Sequence, residues 1–126
     1  MVFADPVPKT QIYQRLAEAD ALVFLLPDHA LYDHGLSANK LYDYLACARP
    51  ILMAANSRFN PVEDARAGVT VPPASPTDLA AGARRIAALS VEQRQAMGER
   101  GISHVQSHYH LPDLAAALAH RLQDLV

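Results

Sequence analysis

The chain has 126 residues, 51% of them hydrophobic, which makes one domain of ordinary size with enough apolar content for a packed core. A formal net charge of -2 argues against a nucleic-acid or membrane-surface role. No apolar run approaches the ~20 residues that span a bilayer, no secretory leader is legible, and Cys47 has no second cysteine to pair with, so a cytoplasmic setting is expected.

In chain order, Val2 to Ala4 reads as the tail of a strand closed by Asp5-Pro6. Lys9 to Ala19 reads as a helix, with Thr10 as N-cap and Ile12, Tyr13 and Leu16 on one face. The apolar run Ala21 to Leu26, stopped by Pro27, is expected to be a fully buried parallel strand. The connection Pro27 to Ser37 exceeds the about two to six residues usual between strand and helix. It carries Asp28, His29, Tyr32, Asp33 and His34, which are rim candidates because α/β folds bind ligands at the carboxyl ends of strands. Solvated side chains are the plainer reading of the two histidines.

Residues 35–50, Gly-Leu-Ser-Ala-Asn-Lys-Leu-Tyr-Asp-Tyr-Leu-Ala-Cys-Ala-Arg-Pro, form a glycine turn that runs into a helix with Leu41, Tyr44 and Leu45 on one face. Ser37 stands where an N-cap would, and the free N–H groups of such a helix start attract an anion, typically phosphate. Asp43, on the second turn, has the chemistry to accept hydrogen bonds from a sugar hydroxyl. Lys40 either neutralises phosphate charge or belongs to a solvated face. Cys47 lies inside the helix and reads as a small packing residue rather than a nucleophile.

Ile51 to Ala55 is the next strand, and Asn60-Pro61 starts a short helix through Ala67, ended by Gly68 in the C′ place. Val69 to Val71 is the last strand, closed by Pro72-Pro73. Ser75-Pro76-Thr77-Asp78 opens a helix with Leu79, Ala83, Ile86 and Leu89 in register. Ser90-Val91-Glu92-Gln93 opens another, running through Met97 to Val105. Gly98 and Gly101 each cost that helix about 1 kcal/mol relative to alanine, which predicts a kink or a close helix contact. His104, His108 and His110 have metal-like spacing, but no carboxylate or cysteine is read as completing the set, so no metal site is expected. Pro112 to Leu125 is a final amphipathic helix with Leu114, Leu118, Leu122 and Leu125 on one stripe. No internal repeat, low-complexity tract or linker interrupts residues 1–126. The fold class expected is α/β: a partial Rossmann-like parallel sheet flanked by helices, with helices at the C-terminus.

The pattern Gly-x-Ser-x-Asn-Lys-Leu-x-Asp-Tyr-Leu-Ala-x-x-Arg-Pro resembles the nucleotide-sugar signature of bacterial family 4 glycosyltransferases. The NKL-x-[DE]-Y version is typical of members that build surface polysaccharide and lipopolysaccharide. The resemblance implies a retaining, metal-independent enzyme of the GT-B fold, in which two Rossmann-like domains face each other across a cleft. It implies that Gly35, Leu36 and Ser37 meet the donor diphosphate through backbone N–H groups, and that Asn39 and Lys40 are the polar pair beside it. By the same resemblance Asp43 is the acid that binds ribose hydroxyls, Val7 sits under the base with Lys9 near it, and Asn56 and Asn60 are peripheral contacts. Two positions depart from the pattern: Gly35 stands eight residues before Asp43, where the longer-known members carry a first acid, and Ala48 stands where glycine is usual. The second departure is expected to matter for packing only.

The resemblance runs over nearly the whole chain but corresponds to only the later part of one GT-B half. The acceptor-binding N-terminal domain and the first two strands of the donor domain are expected to be missing, together with the basic residue that relatives use against the diphosphate. The Ala21 strand would then have a bare apolar edge, an association hazard expected to be covered by self-association, a swapped element or another polypeptide. The resemblance further implies no cofactor, a nucleotide-diphosphate sugar as substrate with UDP-sugar favoured, no turnover by the chain alone, unassigned catalytic residues, and contact with the inner membrane only through a full-length enzyme. A stand-alone nucleotide-binding module, or a structural interaction module without catalysis, is the alternative. A phosphate-receiver reading fails because no acidic pair follows the first strand.

Overall fold

In the computed structural model, residues 4–36 and 38–125 are described. Three short strands, β1 (Leu22–Leu25), β2 (Ile51–Ala54) and β3 (Gly68–Val71), form a parallel sheet in the order β1-β2-β3. Leu22 is in register with Ile51, and Ile51 with Gly68. The helices are α1 (Ile12–Ala17), α2 (Asn39–Ala46), α3 (Pro61–Asp64), α4 (Pro76–Ala87), α5 (Val91–His108) and α6 (Leu111–Gln123). Val2 and Phe3 lie outside the described residues, and Ala4 belongs to no element.

The apolar residues of β2 are buried along its whole length, as a parallel strand covered on both faces requires. On one face Leu22, Phe24, Ile51 and Met53 pack against Leu41 and Leu45 of α2 and Val62 of α3. On the other, Leu52, Ala54, Val69 and Val71 pack against Ile86 and Leu79 of α4. Side-chain caps set the helix starts: Asn60 for α3, Ser75 for α4, and for α5 a Ser90/Gln93 capping box.

The strand β1 is not fully buried as expected. Leu22 and Phe24 point into the core, while Val23 and Leu25 are 50% and 57% exposed. The physical reason is the extent of α4, which packs over β2 and β3. A cleft of about 360 Å³ opens between Val23 and the α4 residues Ala83 and Ile86. An apolar run specifies a strand, but not which layers cover it.

The segment before β1 is also shorter than expected. Lys9–Gln11 is a 3-10 turn containing Thr10, so Thr10 is not the helix N-cap, and α-helix begins only at Ile12. Ile12 and Tyr13 are exposed, and only Leu16 of that face reaches the core. After α3 the left-handed position is taken by Arg66, with φ 51°, rather than by Gly68. Gly68 instead opens β3, where a Cβ would overlap the Ile51 carbonyl, so the glycine serves strand packing.

Gly101 lies against α2 and Gly98 against the Ala48–Arg49 turn that follows it, and α5 runs unbroken from Val91 to His108. A close helix contact is therefore the outcome, with no break in the helix. A Cβ on Gly98 would overlap the Ala48 carbonyl, and one on Gly101 would stand 2.9 Å from the Leu45 oxygen. Ala48 itself has φ 54°, a left-handed conformation that costs a non-glycine residue about 1–2 kcal/mol. Its departure from the glycine of the resembled pattern thus carries backbone strain besides packing. All residues of 111–125 are exposed, and the leucine stripe of α6 faces solvent. No helix among the described residues is long and apolar enough to cross a membrane.

Candidate functional site

The start of α2 is built by two backbone features. Gly35 adopts φ 144° and ψ 158°, a conformation open to glycine, and no heavy atom lies within 4 Å of where its Cβ would be. Leu36 follows, half-buried against the core, so its side chain anchors the turn and leaves only its backbone for a ligand. The N-cap position belongs to Ala38, correcting the expectation placed on Ser37, which itself lies outside the described residues. A methyl group cannot accept, so among the described residues no side chain caps the first turn of α2, and Asn39 and Lys40 on it are exposed. An uncapped, accessible helix start suits an anion.

Asp43 is half-buried one turn further along α2. Tyr13 of α1, thirty residues away, donates its hydroxyl to Asp43 Oδ1 at 2.7 Å. Oδ2 has no hydrogen-bond partner among the described residues. The hydrogen bond to Asp43, and then the carboxylate charge, raise the pKa of the Tyr13 phenol. Tyr13 is the residue that sequence reasoning missed: helical spacing assigned it to the core face, and no local pattern reports a partner thirty positions away. Lys9 opens the turn leading to α1 and is exposed, and Val7 is half-buried. Among the described residues, no hydrogen bond or ion pair links Val7, Lys9, Asn39 or Lys40 to another of these residues. Among the described residues, the Tyr13–Asp43 bond is the side-chain hydrogen bond that joins α1 to α2.

The long connection after β1 is ordered by a 3-10 turn, Ala30–His34. His29 Nδ1 accepts from Leu31 N at 3.0 Å, and Ser57 Oγ donates to the Tyr32 carbonyl at 2.9 Å. Asn60 is buried and fully engaged: its oxygen accepts from Val62 N and Glu63 N, and its amide donates to Thr70 Oγ1 at 2.8 Å. These bonds make it the cap of α3. Asn56 is exposed and shares with Asp28 and Asn60 a hollow of about 510 Å³ at the carboxyl ends of β2 and β3. Burial pushes the Cys47 thiol pKa up, away from the thiolate a nucleophile needs.

A second hollow, about 500 Å³, opens on the other side of α2, where Gly35 and Leu36 meet Tyr42, Phe59, Asp64 and Tyr109. The rings of Tyr42 and Tyr109 are 4.5 Å apart, and His104 lies 5.8 Å from Tyr109 while stacking on His108 at 4.3 Å. His110 Nδ1 pairs instead with Asp113 Oδ2 at 2.9 Å, a carboxylate that the spacing argument passed over. Among the described residues no group of three or more His, Cys, Asp or Glu is placed to hold a metal ion.

Burial and then the neighbouring His108 lower the pKa of His104, with Asp64 opposing them. A histidine whose pKa is depressed on folding binds its proton more readily when unfolded. Its contribution to stability is present above the unfolded value, about 6.5, and is lost as pH falls through the folded one. Denaturant melts at pH 7.5 and 5.5 are therefore expected to show a smaller acid-induced loss of stability in His104→Gln than in the native chain. Equal losses would contradict the assignment.

Among solved structures, the chain is similar to sucrose-phosphate synthase from Thermosynechococcus elongatus, with a TM-score of 0.73 and 19% sequence identity. The match covers 98% of this chain and 30% of that one, so the chain spans about a third of the length of that GT-B glycosyltransferase. The fold is thus an α/β domain of GT-B type, a three-stranded parallel sheet flanked by helices with further helices at the C-terminus. No model of a known protein family matches the chain, and no curated protein sequence does.

Proposed function

We propose that the chain is the donor-binding part of a retaining glycosyltransferase that takes a nucleotide-diphosphate sugar, UDP-sugar favoured, in the building of surface polysaccharide or lipopolysaccharide. One observation carries the reading: Tyr13 holds Asp43, whose Oδ2 has no partner among the described residues, beside a start of α2 that no described side chain caps. That arrangement offers an acceptor for ribose hydroxyls next to N–H groups for a diphosphate, within a GT-B-type fold. In the proposed reaction the N–H groups of the Gly35 to Lys40 stretch and the Lys40 ammonium stabilise the diphosphate as it leaves the anomeric carbon. Val7 and Lys9, on the approach to α1, border the base.

An acceptor-binding N-terminal domain, on the same or a separate chain, would supply the other wall of the cleft. Among the described residues, the unpaired edge of β1 and the leucine stripe of α6 are the surfaces left for it or for a second copy. The chain alone is expected not to turn over, and membrane contact would come only through the complete enzyme. Amide resonances test the location of the site. Addition of UDP is expected to shift Gly35, Asn39, Lys40 and Asp43 more than residues of α6. Shifts confined to α4, or absent altogether, would contradict the proposal.

A further inference from the structure

Two apolar surfaces of the chain, one a groove and one a ridge, face solvent in the described residues. A parallel strand is normally covered on both faces. Over β1, α2 covers the face of Leu22 and Phe24, while Val23 on the other face borders the cleft whose far wall is Ala83 and Ala87 of α4. That gap stands where one more helix of the layer would lie. The ridge is α6, where Leu111, Leu114, Leu118, Leu122 and Leu125 are between 46% and 81% exposed. Spacings of three and four put the five on one stripe. Among the described residues, none of α6 packs on either core cluster.

The stripe does not fill the cleft of its own chain. Along α5, Arg94 borders the cleft, Gly98 the Ala48–Arg49 turn, and Tyr109 at the helix end meets Tyr42 of α2. From Arg94 to His108 the helix therefore carries the chain about 20 Å away along the α2 face. Leu111 starts α6 two residues after Tyr109, whereas the cleft lies on the α4 face. We propose that α6 of one copy seats its leucine stripe in the cleft between β1 and α4 of a second copy, and reciprocally, so that two copies exchange helices in a twofold dimer. A single helix about 20 Å long in one groove makes a small contact. Exchange doubles it, toward the about 1,200–2,000 Å² that stable interfaces bury.

Charge fixes the direction of the seated helix. Asp20 lies at the end of the cleft where β1 begins, exposed and without a side-chain hydrogen bond or ion pair among the described residues. Arg121 flanks the stripe, three residues after Leu118 and four before Leu125, and is exposed as well. Pairing Arg121 with Asp20 lays α6 antiparallel to β1, the direction of the helices that cover a parallel sheet. Asp124, one turn further, then comes beside Arg94 on the same rim, so each charge at this end of the cleft meets an opposite charge on α6. The contact is independent of the donor-binding reading.

Sedimentation velocity of the native chain over a micromolar to submillimolar series is expected to show a species of twice the monomer mass. Leu118→Asp on the stripe and Val23→Asp in the cleft are each expected to weaken the dimer at least tenfold. Both side chains are exposed, so the variants should fold, and a thermal melt of each checks it. Mixing the two variants is expected to raise association above that of either alone, because the intact α6 of one fits the intact cleft of the other. Arg121→Glu and Asp20→Arg are each expected to weaken the dimer at least threefold and, combined in one chain, to recover it. A native chain that stays monomeric overturns the proposal and leaves the cleft to another polypeptide. Loss of the dimer in Leu118→Asp alone means paired α6 helices, and loss in Val23→Asp alone means paired β1 edges. Either result overturns the exchange, as does mixing without recovery.

Discussion

Replacing Gly98 by alanine is expected to destabilise the fold by about 2 kcal/mol or more, despite placing the better helix former in the middle of α5. Alanine should gain about 1 kcal/mol of helix propensity over glycine. Against this, the added Cβ would overlap the carbonyl of Ala48 and stand 2.9 Å from the nitrogen of Arg49, both backbone atoms that cannot rotate away. Relief requires α5 to move off the Ala48–Arg49 turn, loosening the adjacent contact of Gly101 with Leu45 of α2. Overpacking of this kind costs about 1–3 kcal/mol and sometimes more, and backbone neighbours place it at the upper end. Gly82 of α4 is the control. A Cβ there would meet Leu52 Cδ1 at 2.6 Å, the far end of a flexible side chain, so Gly82→Ala is expected to stay within about 1 kcal/mol of native. Urea melts of the two variants check the pair. Equal effects would mean that α5 does not rest on the Ala48–Arg49 backbone as described.

Asp43→Ala is expected to weaken binding of the donor nucleotide by about tenfold or more, since hydrogen bonds to a charged group contribute about 1.5–3 kcal/mol. Partial exposure of Asp43 places the loss near the low end of that range. Tyr13→Phe keeps the carboxylate and removes only its tether, so a loss of about two- to threefold is expected. The Tyr13–Asp43 bond is exposed, and losing it should change stability by no more than about 0.5 kcal/mol. The two variants therefore separate ligand contact from folding. A melt at the native temperature together with tenfold weaker binding assigns Asp43 to the ligand, whereas unaltered binding removes it from the site.

What was legible in the sequence divides along physical lines. Local chemistry could be read. Ser75, Ser90 and Asn60 cap the helices they precede, Leu41 and Leu45 are buried on one face, and Gly101 of α5 marks a close helix contact. Layering could not. Val23 and Leu25 sit in an apolar run identical in character to β2, and only the reach of α4 decides that one strand is covered and the other is half open. Backbone conformation was misplaced where composition suggested glycine: the left-handed turns fall on Ala48 and Arg66, while Gly68 is needed for close strand contact. In the candidate site, the positions on α2 were visible because the turn, helix and acid lie within one short segment. Tyr13 was not, because an amphipathic pattern says which residues share a face and nothing about a partner on another helix.

The central claim, that this fold presents a nucleotide site at the start of α2, is tested most directly by calorimetric titration of the native chain with UDP and GDP, repeated on Asp43→Ala and Lys40→Ala. Saturable binding of one nucleotide below millimolar concentration, weakened in both variants, is the expected result. Heats no larger than dilution at millimolar nucleotide, or binding that both substitutions leave unchanged, would contradict it.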